Sequence, residues 1–275
     1  MRSINPIGIF DSGYGGLTIL EKIRERLPQY DYLYLGDNAR TPYGTRSFEI
    51  VYAFTLQAVC QLFDEGCSLV ILACNTASAK ALRTIQQKDL PNINATKRVL
   101  GVIRPTVEQV EQLTKTRHVG VLATPGTILS ESYTLEIQKL FPDIAVTGEA
   151  CPMWVPLVEN GEADRDGADY FVKQHLDRIF QKDPQIDTLI LGCTHYPLLE
   201  KKIRKYLPAS VKILLQGEYV ADRLDDYLMR HPEIESCCSQ NGTVRYLTTE
   251  ANDKFSAMAG VFLNQPIQAQ RIILE

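Results

Sequence analysis

Two stretches of this chain say nearly the same thing, and together they limit what it can fold into. Ser68 to Lys80 reads SLVILACNTASAK and Asp187 to Leu199 reads DTLILGCTHYPLL. In each, a short aliphatic run rich in branched residues is too brief for a self-supporting helix and reads as a strand buried on both faces. Each run stops at a cysteine, Cys74 or Cys193, with small polar residues after it. Asn75, Thr76 and Ser78 can cap a helix that Ala77, Ala79, Lys80, Ala81 and Leu82 continue, and Pro197 suits the first turn of a helix in the second copy. The cysteines are 193 − 74 = 119 residues apart. A fainter echo pairs PIGIFDSG (Pro6 to Gly13) with HVGVLATPG (His118 to Gly126), where Ile7 and Val119 are 119 − 7 = 112 apart. An internal duplication follows: two similar α/β lobes with parallel sheets, ligand faces meeting.

Both cysteines therefore fall at strand-to-helix turns, where open parallel sheets bind ligands and a helix N-terminus offers unpaired N–H groups. A thiol there should find its thiolate favoured; the alternative is a buried structural cysteine. Asp11, in FDSGYGG, has two readings of the same kind. It caps the following helix, or it takes a proton or holds an ammonium group. The glycines around it lack the spacing of a phosphate-binding turn, and a carboxylate at that entrance would repel phosphate.

The remaining segments keep the strand and helix alternation of parallel α/β lobes. Strands are expected at 30–36, 98–103, 144–150, 211–215 and 243–249. Helices are expected at 15–27, 47–65, 107–116, 128–141, 161–181, 198–206, 219–229 and 254–263. The polar loop GDNARTPYGTRS, with Arg40, Tyr43 and Gly44, is a surface connection or a binding rim. Two prolines in CPMWVPLVENGEAD keep a long helix from starting before Val155, and Glu159 behind them reads as solvent-facing. The tail has more elements than one lobe needs. The expected division is thus residues 1–98 with 213–275 as a discontinuous first lobe carrying Cys74, and 99–212 as a second lobe carrying Cys193.

With 45% apolar and 23% charged residues the chain has a globular composition, and no apolar run nears the 18 or so residues of a membrane span. Met1 to Pro6 lacks the apolar core of a signal peptide. A net charge of −4 gives no general attraction to nucleic acid, and Lys201, Lys202, Arg204 and Lys205 read as a solvated helix face. Seven cysteines without an export signal suggest reduced thiols in a cytoplasm, and their spacings do not suggest zinc. His118, His175 and His231 read as surface residues; His195 alone sits in a motif.

Cys193 with His195 invites a hydrolase reading, but residues two apart on a turn point in different directions and no oxyanion loop accompanies them. No arginine follows either cysteine as a phosphatase loop would require. Two equivalent thiols fit a symmetric reaction instead. Inverting a stereocentre needs one group to take the proton from one face and another to return one to the opposite face. A free thiol's pKa near 8.5 allows one thiol and one thiolate after a modest shift, with Asp11 and His195 as neighbours that set those states. Ser12, Thr76, Thr124 and Thr194 would supply hydrogen bonds in a dry cradle for the substrate's charged groups.

FDSGYGG, TPYGTRS (Thr41 to Ser47), CNTAS (Cys74 to Ser78), GVIRP (Gly101 to Pro105) and GCTHYPLL (Gly192 to Leu199) closely resemble, in order, the motifs of the glutamate racemases within the aspartate/glutamate racemase superfamily. The resemblance covers almost the whole chain. It implies two pseudosymmetric lobes with the site between them, interconversion of L- and D-glutamate in a bacterial cytoplasm, D-glutamate for peptidoglycan, and neither pyridoxal phosphate nor metal. It makes Cys74 and Cys193 the proton carriers, Asp11 and His195 their assistants, and Glu159 a further helper. It assigns substrate binding to Asp11, Ser12, Tyr43, Gly44, Asn75, Thr76, Thr124, Thr194 and His195, and implies a homodimer. Thr106 departs from the small residue expected after Arg-Pro, which bears on local packing or the dimer surface. An aspartate racemase and a non-catalytic amino-acid sensor are the rival readings; CNTAS with GCTHYP favours glutamate, and a sensor needs no second thiol.

Overall fold

A computed structural model describes residues 5–263 and 265–274, so the first four residues of the Met1 to Pro6 stretch lie outside it. The described chain carries ten strands: β1 (Ile7–Asp11), β2 (Tyr32–Gly36), β3 (Leu69–Leu72), β4 (Arg98–Gly101), β5 (His118–Ala123), β6 (Ala145–Ala150), β7 (Thr188–Gly192), β8 (Lys212–Leu214), β9 (Val244–Thr248) and β10 (Gln270–Arg271). They form two sheets ordered β10-β9-β2-β1-β3-β4 and β6-β5-β7-β8, and every pairing is parallel.

The duplication is visible in that order. β2-β1-β3-β4 and β6-β5-β7-β8 are the same arrangement, with β1 and β3 matched by β5 and β7. β9 and β10 extend the first sheet beyond β2, so the chain returns to its first lobe after building the second. β1, β2, β3 and β7 are buried along their whole length, as expected of aliphatic strands covered by helices on both faces.

Pairing shifts the expected borders slightly. β4 belongs wholly to the first sheet and β8 to the second, so borders at 98/99 and 212/213 would each cut a strand. The expected helix at 107–116 is two short helices, Ile103–Val107 and Val110–Leu113. The one at 128–141 is Pro125–Leu129 and Ser132–Leu140, broken where Glu131 takes a left-handed φ of 54°. The helix Trp154–Glu159 starts before Val155 and contains Pro156. A first-turn N–H has no intrahelical partner, so proline is tolerated there.

His175 is a further correction. It is buried, its Nδ1 2.7 Å from Glu149 Oε1, because the inner face of the helix Asp166–Lys182 packs on β6 and offers this carboxylate a partner. The basic residues after Glu200 are not a free patch. Lys202 and Lys205 both pair with Asp169, and Arg204 pairs with Glu200. Among the described residues no helix is long and apolar enough to cross a membrane.

Candidate active site

The carboxyl ends of the strands from the two sheets face one another. Asp11 ends β1, Cys74 lies just past β3, Thr124 follows β5, Cys151 follows β6 and Cys193 follows β7. Cys74 and Cys193 line one cavity of about 100 Å³, together with Ser12, the 41–45 loop, Asn75, Thr76, Thr124, Thr194 and His195. Both thiols are 6% exposed. A larger cavity of about 570 Å³ lies elsewhere and contains neither thiol. Three of its four arginines are already paired: Arg83 with Glu136, Arg104 with Glu108 and Glu136, and Arg223 with Glu108, while Arg230 donates to Asp226 O.

Cys74 is the N-cap of the helix Asn75–Lys80, its sulfur accepting from Ala77 N at 3.5 Å, while Ser12 Oγ lies 3.3 Å from the same sulfur. The expectation that a helix start would favour its thiolate does not hold in this buried site. Burial dominates, the Asp11 charge adds to it, and together they push the thiol up to about 12 against the weaker pull of Ser12 and Ala77. The resting Cys74 is a thiol.

The other thiol has a different companion. Cys193 Sγ is 3.9 Å from His195 Nδ1, and His195 Nε2 is 3.0 Å from Glu159 Oε1. Burial alone would drive the imidazole's proton off; hydrogen bonds and charge from Cys193 and Glu159 outweigh it and raise His195 to about 10. His195 is therefore a cation at neutral pH. Asp11 does not line the cavity: it sits buried behind, accepting from Gly13 N at 3.0 Å through Oδ2, with Oδ1 unpartnered. Burial raises its carboxyl, and His195 with the N–H groups of Gly13 and Gly16 pulls it back. Glu159 is likewise behind the site and is held by His195 rather than facing solvent freely.

Hydroxyls from both lobes meet at the opposite end. Thr76 Oγ1 is 2.9 Å from Thr124 Oγ1 and 3.3 Å from Thr127 Oγ1. Tyr43 donates its hydroxyl to Asp37, which Arg40 and Thr249 also hold, so the 41–45 loop is anchored from beneath and forms a rim of the cavity. Gly44 O accepts from Gly126 N at 2.8 Å across the lobes, and a Cβ at Gly44 would lie 2.8 Å from that of Thr124. Gly15 is constrained in the same way: its Cβ would sit 2.3 Å from Thr194 Oγ1 and 2.5 Å from His195 Nδ1. Gly15 of FDSGYGG thus lets the first lobe's turn approach the second lobe's cysteine turn.

The sequence profile of the family described as Asp/Glu/Hydantoin racemase matches residues 14–216. The chain belongs to this family. Among curated racemases, the glutamate racemase of Ruegeria sp. (strain TM1040) is 41% identical over 271 residues, covering 95% of this chain and 97% of that one. A crystal structure of a glutamate racemase isoform from Bacillus anthracis superposes with a TM-score of 0.89 at 35% identity, covering 99% of both chains. That of the Francisella tularensis glutamate racemase in complex with D-glutamate gives 0.86 at 34%, covering 99% of this chain and 98% of the other. The two parallel-sheet lobes described above are the racemase architecture of these relatives.

Ser12, Tyr43, Gly44, Cys74, Asn75, Thr76, Thr124, Cys193, Thr194 and His195 all reach the racemase cavity, while Asp11 and Glu159 stand one layer behind it. Sequence reasoning missed Thr127, which shares the Thr76–Thr124 hydroxyl cluster, and Cys151, Val155 and Pro156, which wall the cavity. It also missed Tyr133 and Gln216 behind Asn75; nothing local in the sequence marks either. Among the described residues no group of three or more His, Cys, Asp or Glu side chains is arranged to hold a metal ion.

Proposed function

We propose that this racemase interconverts L- and D-glutamate by exchanging protons at the α-carbon between Cys74 and Cys193. The observation that carries the reading is the pair of thiols, one from each of two equivalent strands, on the walls of one small cavity. A thiolate on one side takes the α-proton and becomes a thiol; a thiol on the other gives its proton to the opposite face and becomes a thiolate. The inverted amino acid leaves, and the site is left ready for the reverse reaction. In one direction Cys74, a thiol in this site, gives its proton while Cys193, 3.9 Å from the His195 imidazole, takes the α-proton; in the other direction the roles exchange.

The α-proton is far less acidic than a thiol, so the intermediate needs electrostatic support in a water-poor site. We assign the substrate's charged groups to Ser12, the rim at Tyr43 and Gly44, and the N–H and hydroxyl groups of Asn75, Thr76, Thr124 and Thr194. Asp11 and His195 set the charge around each thiol, and Glu159 holds His195. The reading places the enzyme in the cytoplasm as a source of D-glutamate for peptidoglycan. The substrate rests on relatives such as the Francisella tularensis enzyme, solved with D-glutamate. The test is chiral chromatography of L-glutamate and L-aspartate incubated in competition with the protein. D-glutamate should form with the higher kcat/KM; faster formation of D-aspartate would overturn the substrate assignment.

A further inference from the structure

Asn75 follows the Cys74 turn directly, and its side chain is gripped from the far side of the lobe interface. Asn75 Nδ2 donates to Gln216 Oε1 at 2.6 Å, Gln216 Nε2 donates to Tyr133 Oη at 2.7 Å, and Tyr133 Oη donates to Asn75 Oδ1 at 2.6 Å. The donors run one way round a closed three-membered ring. The other Gln216 N–H goes to Thr106 Oγ1 at 2.9 Å, and Thr106 passes its own proton to Val102 O at 2.7 Å. Gln216 Nε2 also approaches Asn75 Oδ1 at 3.2 Å. All four side chains are buried, Thr106 completely, so this residue is no part of a surface.

Such a ring has one satisfied arrangement. In a low-dielectric interior its bonds strengthen one another, and breaking one leaves a buried polar group unpaired. Reversing the Asn75 amide alone would set its NH₂ against the Tyr133 proton, and reversing Asn75 and Gln216 together would take a buried Gln216 N–H away from Thr106 Oγ1 and turn the Thr106 hydroxyl from Val102 O. The amide is therefore fixed with Oδ1 inward and one N–H used by Gln216. Among the described residues its second N–H has no acceptor, and Asn75 lines the thiol cavity.

We infer that Gln216 and Tyr133, backed by Thr106, are positioning residues: they lock the Asn75 amide so that its free N–H is a fixed donor to the substrate's carboxylate beside Cys74. The inference rests on the glutamate racemase reading. It also explains why a threonine follows Arg104-Pro105, since a smaller residue without a hydroxyl would leave a Gln216 N–H unpaired.

Tyr133→Phe removes one oxygen, and Gln216→Met keeps the length while removing Gln216's acceptor and donor to Asn75 and leaving the Tyr133 contact in place. Each variant should raise KM for both glutamate enantiomers about tenfold, the size of one hydrogen bond to a charged group, with a smaller change in kcat. The Kd of D-glutamate by calorimetry should rise in parallel. In an Asn75→Ala background neither substitution should raise KM further, because both act through that amide. Thermal melting of each protein registers any purely structural effect. A KM within twofold of the parent in folded Tyr133→Phe, or full additivity with Asn75→Ala, would overturn the inference. A parent protein that binds glutamate without racemising it would instead overturn the function reading, and the Kd comparison would still decide the role of the ring.

Discussion

His195 donates through Nε2 to Glu159 Oε1 at 3.0 Å while its Nδ1 faces the Cys193 sulfur at 3.9 Å, so one imidazole couples a carboxylate behind the site to a thiol within it. The carboxylate keeps the imidazole charged, and the charge then acts on the thiol. The other thiol, Cys74, has Ser12 and a helix N-terminus but no cation in contact. The two equivalent halves of the fold thus give their cysteines different neighbours.

Glu159→Gln should expose that coupling. With the charge gone, His195 should fall from about 10 toward its ordinary 6.5. The alkaline limb of the kcat/KM profile, set by loss of the His195 proton, should move to lower pH by one unit or more. An unchanged limb would remove Glu159 from control of His195.

Stability should follow the same protons. His195 is raised in the folded state, so its contribution is complete below pH 6.5 and fades as pH rises through about 10. Cys74, pushed to about 12 against an ordinary 9, works in the same direction: above pH 9 the unfolded thiol ionises and the folded one does not. The melting temperature should fall between pH 7 and 10 by about 2–4 °C for each ~1 kcal/mol lost. His195→Asn should flatten the curve over that range, and a melting temperature that rises with pH would contradict the assignment.

Cys74→Ser and Cys193→Ser should each lower racemisation by about 10²–10⁴-fold, because a hydroxyl is too weak an acid to exchange protons as a thiol does. Melting temperatures should change little. Loss confined to one of the two variants would argue against a role for both thiols.

Gly15→Ala tests the approach of the two lobes. The added methyl would meet Thr194 Oγ1 and His195 Nδ1 well inside contact distance. Overpacking of this kind destabilises by about 1–3 kcal/mol. It should also displace the Cys193 turn, so kcat/KM should fall by more than the stability loss explains. A variant with parental kinetics would show that the turn tolerates the shift.

The sequence made the strand ends readable because each is marked locally, by an aliphatic run stopping at Cys74 or Cys193 or at Asp11 or Thr124, and because the pattern occurs twice. What it could not show were contacts between residues far apart in the chain. His175 read as a surface residue because nothing near it announces Glu149, which β6 brings beneath it. Tyr133 and Gln216 lie 58 and 141 residues from Asn75 and meet it only once the lobes close on each other. Cys74 read as a favoured thiolate from its place at a helix start, but burial outweighs that helix end.

The most direct test of the two-thiol account is the first turnover of L-glutamate in D₂O, with the α-hydrogen of substrate and product followed by proton NMR after separation of the enantiomers. Two acids on opposite faces predict that newly formed D-glutamate carries deuterium at the α-carbon while unreacted L-glutamate keeps its proton. D-glutamate that retains the substrate's own α-proton would mean that one group both removed and returned it, and would contradict the account.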